Sequence, residues 1–354
     1  MKEKFKVTVA MSGGIDSAVA ALLAIKDGYN VTGATMRLCH KPQGDGTDGT
    51  DTDIADAKAI CEGLGIPHKV YALEDEFNST VIKDFVNTYL AAGTPNPCIV
   101  CNKRLKFGKL LDDEIAQGAD FIATGHYAQI ERREDGRYLL KKAKDSKKDQ
   151  TYMLWTLSQH QLSHTLFPLG SYTKPEIRQI GADNGFVNAH KSDSQDICFV
   201  PDGDYASFIE EQIGFQYPAG DYVDENGIVL GRHKGMIHYT IGQRKSLGIS
   251  LGRHIFVTRK DAQSNTVTLA DEDKLFYDKV VIRNINLIPF DTLDGELRVE
   301  AKIRYSQSTY PALAVQTGDD EITLTFDTPQ RAPAKGQSAV MYDGDYVIGG
   351  GIIQ

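Results

Sequence analysis

The stretch VAMSGGIDSAVA, residues 9–20, decides the fold. It leaves the strand-like run FKVTVA (5–10) and enters a helical one, DSAVAALLAIKDG (16–28), which ends at a Gly stop. A glycine pair between strand and helix, flanked by hydroxyls, is the composition of an anion-binding turn. Gly13 and Gly14 let backbone N–H groups approach a phosphate, and Ser12 and Ser17 add donors. The helix directs its positive end to the same place. The lysine that clamps phosphates in a Gly-Lys-Ser or Gly-Lys-Thr loop is missing, so γ-phosphate transfer is disfavoured. Asp16 would repel phosphate unless Mg2+ bridged them, which points to metal–pyrophosphate chemistry. An ordinary strand–helix turn with Asp16 as a cap is the alternative.

Outward from this loop, strand and helix alternate. Strand-like runs lie at 30–38, 67–73 and 119–128, and helical patterns at 54–65, 81–93 and 105–117. This order predicts an α/β fold with a Rossmann-like, doubly wound parallel sheet. Ligands on such sheets sit at the carboxyl ends of the strands, where Ser12–Ser17, Met36 and Gly125–His126 fall. A Gly-rich, turn-rich stretch follows residue 200, and a series of short β-strands follows residue 276. The expected organisation is a catalytic domain over 1–204, a small central domain over 205–275 and a C-terminal β-barrel over 276–354.

The chain has 354 residues and a formal net charge of −9, which excludes a wholly basic nucleic-acid coat but not a local basic face. No apolar run reaches the roughly 18 residues of a membrane span. With no apolar or Arg/Ser-rich leader, the expected location is the cytoplasm and no membrane partner is expected. Five cysteines in so long a chain are no disulfide scaffold. In GTPNPCIVCNKRLKFGKL (93–110), Cys98 and Cys101 stand three apart, stiffened by Pro95 and Pro97; Cys198 lies in KSDSQDICFVPDGDY (191–205). A thiolate is a strong nucleophile and a sulfur carrier, and Lys103, Arg104 and Lys106 would depress a thiol pKa nearby. A structural metal knuckle, or cysteines that merely pack, are the plainer readings. Further lysines and arginines cluster at 141–148, 232–234 and 244–245, each a solvated face or part of a phosphate track.

Ser-Gly-Gly-x-Asp-Ser after the first strand resembles the PP-loop of the N-type ATP pyrophosphatases, which adenylate their substrates. Together with ATMRL, TPNPCIVCNKRLKF, DFIATGHYA, KKDQTYML, DSQDICFV, GRHKGMIHYTIGQRKSLGI and KIRYSQ, it resembles the bacterial tRNA-specific 2-thiouridylase family nearly end to end. The resemblance implies that Ala10, Met11, Ser12, Gly13, Gly14, Ile15, Asp16, Ser17, Met36 and Gly125 hold ATP, with Mg2+. It implies that Asn96, Pro97 and Cys98 meet the target base. Cys101 would be the nucleophile and Cys198 the persulfide carrier, passing through a Cys101–Cys198 disulfide. His126, Lys148, Asp149, Gln150, Arg304, Tyr305 and Gln337 would contact tRNA.

The implied reaction is ATP-dependent 2-thiolation of the wobble uridine of the tRNAs for Lys, Glu and Gln. Sulfur would come from a cysteine desulfurase or a relay protein. Asp193 and Asp196 are candidate acid/base groups or exposed loop carboxylates. Some relatives carry Asp where this chain has Cys98, and the third thiol opens another route. Cys98, Cys101 and Cys198 could hold a [4Fe–4S] cluster with one open iron. The competing readings are a PP-loop amide ligase, which has no use for these cysteines, and a non-catalytic RNA-binding protein with a cysteine-bound metal.

Overall fold

Val7 and Val9 of the first strand are 1% and 0% exposed, as an apolar run buried on both faces of a parallel sheet requires. The computed structural model describes residues 4–39, 48–186 and 197–354. Asp193, Asp196 and positions 41–47 of the Asp/Gly/Thr-rich loop lie outside them. The chain runs β1 (Lys6–Ala10), α1 (Ile15–Lys26), β2 (Asn30–Arg37), α2 (Gly49–Leu64), β3 (His68–Ala72), α3 (Glu74–Phe77) and α4 (Lys83–Leu90). Next, α5 (Pro97–Cys101) passes through wide π-type turns, Asn102–Leu110, into α6 (Leu111–Ala116) and β4 (Phe121–Ala123). A hairpin of β5 (Gln129–Arg132) and β6 (Tyr138–Lys141) follows, then α7 (Gln159–Ser163), β7 (Thr165–Leu166) and α8 (Lys174–Asp183).

The chain divides into two compact units. The first comprises residues 1–81, 98–201 and 344–348. Its sheet has the order β3-β2-β1-β4-β7, parallel throughout. The order reverses at β1, with β2 on one side and β4 on the other, and a crevice opens at their carboxyl ends. Helix α1 is buried almost all round, with Ala18, Val19, Ala20 and Ala21 each at 0% exposure, because its small side chains let neighbours approach. One such neighbour is α8. A Cβ at Gly181 would stand 2.2 Å from Cδ1 of Ile15, so any larger residue there would displace the Ile15 side chain. Beneath the sheet, the buried Glu114 of α6 accepts from Thr8 Oγ1 at 2.6 Å, from Lys69 Nζ at 3.1 Å and from the Tyr71 hydroxyl.

The second unit comprises residues 82–97, 202–343 and 349–354. After α9 (Tyr205–Ile213) come β8 (Gly220–Val223), β9 (Val229–His233), β10 (Phe256–Asp261) and β11 (Thr266–Ala270), in a sheet of order β10-β11-β8-β9. The remaining strands are β12 (Phe276–Leu287), β13 (Glu296–Lys302), β14 (Tyr310–Gly318), β15 (Glu321–Arg331), β16 (Ser338–Asp343) and β17 (Tyr346–Ile353). Their order, β12-β15-β14-β13-β16-β17, closes by a β12–β17 pairing into a six-stranded antiparallel barrel. Closure needs the glycines of VIGGGII. A Cβ at Gly349 would lie 2.1 Å from the Asn286 carbonyl oxygen, and one at Gly351 3.0 Å from that of Arg283.

The α/β class, the parallel sheet and the barrel follow the sequence pattern. The β5–β6 hairpin and the two-residue β7 carry no strand signal long enough to read. The run at 119–128 is a strand only to Ala123, after which it turns into the crevice. No helix among the described residues is long and apolar enough to cross a membrane.

Candidate active site

The glycine-pair loop occupies the crevice. Gly13 is left-handed at φ 73°, and a Cβ there would lie 2.6 Å from the carbonyl oxygen of Asp53. Gly14 is the N-cap of α1, and no side chain caps that terminus. The positive end of α1 is thus left for an anion. Ser17 Oγ accepts from the Ser12 N–H at 3.2 Å and donates to the Gly14 carbonyl at 3.0 Å, which holds the loop in shape. The Met11 N–H donates to the Ala34 carbonyl at 2.8 Å, docking the loop on β2, where Met36 is half-buried. Gly125 follows β4. A Cβ there would stand 2.9 Å from both the Asp16 carbonyl carbon and the Ser17 nitrogen, so this position lets two backbones meet at the loop. The fold therefore brings Ala10–Ser17 and Gly125 together, with Met36 on the adjoining strand.

Asp16 is no helix cap. Its carboxylate receives Lys174 Nζ at 2.8 Å on each oxygen and the Tyr127 hydroxyl at 2.8 Å. Lys174 is 5% exposed, and its ammonium also lies 5.9 Å from the Tyr127 ring centroid. The loop has no lysine of its own, but a buried lysine reaches it from the start of α8. Sequence reasoning missed this residue, although a signal existed. Thr173 and Glu176 form a capping box with Pro175 in the first turn, so Lys174 sits at a helix N-terminus, where the macrodipole disfavours a cation. A buried cation in that position is held there by something else.

Cys98 and Cys101 lie on α5, and Cys198 follows far along the chain. They are near enough to perturb one another. Burial raises the Cys101 thiol pKa to about 11; Lys106 pulls it down, and Cys198 and Cys98 push it up. Burial and then Cys198 raise the Cys98 thiol, again against Lys106. The expected depression by neighbouring cations is therefore corrected. Lys106 acts in the expected direction, but desolvation outweighs it, and Lys103 and Arg104 are exposed. Among the described residues, no three His, Cys, Asp or Glu side chains are gathered to hold a metal ion. For Mg2+, which typically takes one or two carboxylates plus substrate phosphates, Asp16 is the carboxylate beside the uncapped helix terminus, and Lys174 bonds both of its oxygens in this structure.

Several expected tRNA contacts have structural duties. His126 Nδ1 pairs with Thr124 Oγ1 at 2.7 Å, and its ring lies against Phe107 and Phe167. Burial, then Lys106, hold it well below the usual histidine range, so it is neutral at pH 7. Asp149 accepts from the Ala143 N–H at 3.0 Å and from Thr151 Oγ1 at 2.6 Å. Gln150 Oε1 accepts from the Tyr127 N–H at 2.9 Å, which fixes the residue that bonds Asp16. Lys148 is half-buried in the turn just ahead of Asp149. In the second unit, Arg304 Nη2 donates to the Ala332 carbonyl at 2.6 Å, and Tyr305 is 40% exposed. Gln337 Nε2 donates to the carbonyls of Thr94 and Pro95 at 3.0 and 2.9 Å, just ahead of Asn96 and Pro97. Of the basic clusters, His233 is a 2% exposed core residue, whereas Lys234, Arg244 and Lys245 are exposed.

Three family models match successive parts of this chain. Residues 5–202 match the tRNA methyl transferase HUP domain family, residues 206–271 the tRNA methyl transferase PRC-barrel domain, and residues 277–353 the aminomethyltransferase beta-barrel domain. A tRNA-specific 2-thiouridylase MnmA from Treponema denticola is 46% identical over 358 residues, covering 99% of this chain and 98% of that protein. The protein of the same name from Clostridioides difficile is 46% identical over 353 residues, with the same coverage. That from Acetivibrio thermocellus is 45% identical over 357 residues, covering 99% of each.

Proposed function

This chain belongs to the tRNA-specific 2-thiouridylase family, and we propose that it converts the wobble uridine of tRNA to 2-thiouridine through an adenylated intermediate and a cysteine persulfide. It is an ATP-using tRNA sulfurtransferase. The observation that best supports the persulfide route is that Cys198 lies near enough to act on the Cys101 thiol, in the unit that also carries the Ser12–Ser17 loop.

The carbon-2 oxygen of uridine is a poor leaving group. Its attack on the α-phosphorus of ATP releases pyrophosphate and converts that oxygen to an adenylate. The loop amides and the N-terminus of α1 receive the negative charge of the departing pyrophosphate. Mg2+ would be held by Asp16 together with the phosphates, and would supply further charge neutralisation. The terminal sulfur of a Cys198 persulfide then bonds to carbon 2, and AMP leaves with its electron pair. Cys101 thiolate attacks the Cys198 sulfur. The carbon-bound sulfur departs as the thiocarbonyl, and a Cys101–Cys198 disulfide remains for an external thiol to reduce. A cysteine desulfurase or relay protein reloads Cys198.

Asn96, Pro97 and Cys98 meet the base, which an anticodon loop offers unpaired. Lys148, Arg304 and Tyr305 contact the tRNA, while His126, Asp149, Gln150 and Gln337 act chiefly by shaping the surfaces that do. The substrates are the tRNAs for Lys, Glu and Gln, and the setting is the cytoplasm.

Nucleoside mass spectrometry tests this reading. Unmodified tRNA, ATP, Mg2+, a persulfide donor and the protein should yield 2-thiouridine, AMP and pyrophosphate. Cys198→Ser should abolish the product without unfolding the protein. Full product from Cys198→Ser would refute the persulfide role, and ATP-independent product would refute adenylation.

A further inference from the structure

Lys260 is a buried cation that the proposed chemistry does not use. It lies on β10 and is 8% exposed. Its ammonium donates to the carbonyl of Gly93 at 3.2 Å and lies 5.7 Å from the Tyr89 ring centroid. Tyr89 in turn stacks on Tyr205 at 4.9 Å. Among the described residues no carboxylate forms an ion pair with Lys260. The adjacent Asp261 accepts from the Gln263 and Ser264 N–H groups instead. Burial alone brings the Lys260 ammonium down to about 8. Burying an ammonium without a counter-ion is expensive, and a methionine would fill the same space without that cost. What the charge secures in return is the grip on one carbonyl, three residues ahead of Asn96.

That carbonyl belongs to a segment held from several sides. The Thr94 N–H donates to the Lys335 carbonyl at 2.7 Å, and Gln337 Nε2 bonds the carbonyls of Thr94 and Pro95. A Cβ at Gly93 would meet Thr88 Cγ2 at 2.7 Å, and one at Gly336 would meet the same atom at 2.8 Å. Three consecutive carbonyls, of Gly93, Thr94 and Pro95, are thus bonded by the side chains of Lys260 and Gln337. Both side chains, and residues 93–97, belong to the second unit.

We propose that Lys260 and Gln337 are positioning residues for thiolation: together they clamp the Gly93–Pro95 carbonyls and so set the placement of Asn96–Pro97–Cys98 against the target base. This rests on the reading that Asn96–Cys98 meets that base. Neither side chain need touch tRNA. Their effect belongs to the catalytic step, because small misplacements at a reacting centre cost rate more than affinity.

The test uses full-length Lys260→Met, Lys260→Arg and Gln337→Glu; the last exchanges a donor for a carboxylate at constant size. Two quantities are read. Hydrogen exchange reports the peptide spanning 91–101. Single-turnover thiolation is measured alongside tRNA and ATP affinity. Lys260→Met and Gln337→Glu should each raise exchange in that peptide and slow thiolation at least tenfold. Their tRNA and ATP dissociation constants should stay within twofold of wild type, and Lys260→Arg should restore both readouts. A parallel loss of tRNA affinity would make Lys260 a tRNA ligand and overturn the proposal. So would unchanged exchange and rate, or failure of Arg to rescue. If Lys260→Met does not fold, Gln337→Glu decides by the same criteria. Altered exchange with no 2-thiouridine from wild type would instead count against the proposed reaction, since exchange reads the clamp independently of thiolation.

Discussion

The ammonium of Lys174 lies 2.8 Å from both carboxylate oxygens of Asp16, although 158 positions separate them in the chain. The pair links α8 to the first turn of α1, beside an uncapped helix terminus built for an anion. Lys174 therefore neutralises the carboxylate beside that terminus and places a positive charge there. Lys174→Met is expected to lower ATP-dependent thiolation by about a hundredfold, the usual loss of a preorganised charge donor. It should also destabilise the protein by about 1–3 kcal/mol by stripping a half-buried carboxylate of a charged partner. Lys174→Arg should recover stability more than activity, because the bulkier fork does not fit the same space. Product formation and thermal melting check the two effects separately; full activity in Lys174→Met would refute the assignment.

Cys101 gives a prediction about pH. Burial pushes its thiol up to about 11, and only the thiolate is nucleophilic. At pH 7 the reactive fraction is therefore small. Alkylation of Cys101 by iodoacetamide should rise about tenfold per pH unit from 7 to 10, without a plateau near the ordinary thiol value of about 8.5. Lys106→Met removes the charge that pulls the pKa down, so alkylation at a given pH should slow. Peptide mass spectrometry of the 98–101 segment reads both, and a plateau below pH 9 would contradict the burial argument.

Much of this was legible in the sequence because its signals are local. Gly13, Gly14 and the strand–helix switch announce an anion turn, and the alternating strands after 276 announce a β-rich tail. The departures are long-range. Nothing near residue 16 shows that Lys174 will neutralise Asp16, since that pairing depends on α8 crossing α1 at Gly181. The sign of the cysteine shift was also out of reach. Lys106 is visible in the sequence, but the burial that outweighs it is a property of the folded surroundings of α5. Gln337 and Lys260 hold residues 93–95 through contacts made only when distant strands assemble.

Gly125 provides a steric test of the crevice. Its missing Cβ would stand 2.9 Å from two backbone atoms at the start of α1 and 3.0 Å from Asp16 Cβ. Backbone cannot yield as a flexible side chain can, so Gly125→Ala must push the loop away from β4. The expected cost is about 1–3 kcal/mol in stability, typical of overpacking, with ATP affinity falling more than tRNA affinity. Urea titration and separate ATP and tRNA binding measurements distinguish this from general unfolding. Equal losses for both ligands would show that the position only supports the fold.

Glu114 gives a prediction about acid. Burial acts to raise its pKa, but hydrogen bonds from Thr8 and Tyr71 and the Lys69 ammonium outweigh it and leave the carboxyl below its usual value. A carboxylate with a depressed folded pKa contributes stability above its unfolded pKa, about 4.3, and loses it as pH falls through the lower folded value. Glu114→Gln keeps the shape and removes the charge. At pH 7 it should cost about 1–3 kcal/mol, since Thr8, Tyr71 and Lys69 lose their charged acceptor. The half-exposed Lys69 contributes the smaller share because water screens it. The gap between wild type and variant should narrow as pH drops below about 4, because the wild-type carboxyl is then protonated as well. Urea unfolding from pH 3 to 7 measures the gap directly. A pH-independent difference would mean that the Glu114 charge is not what its three donors stabilise.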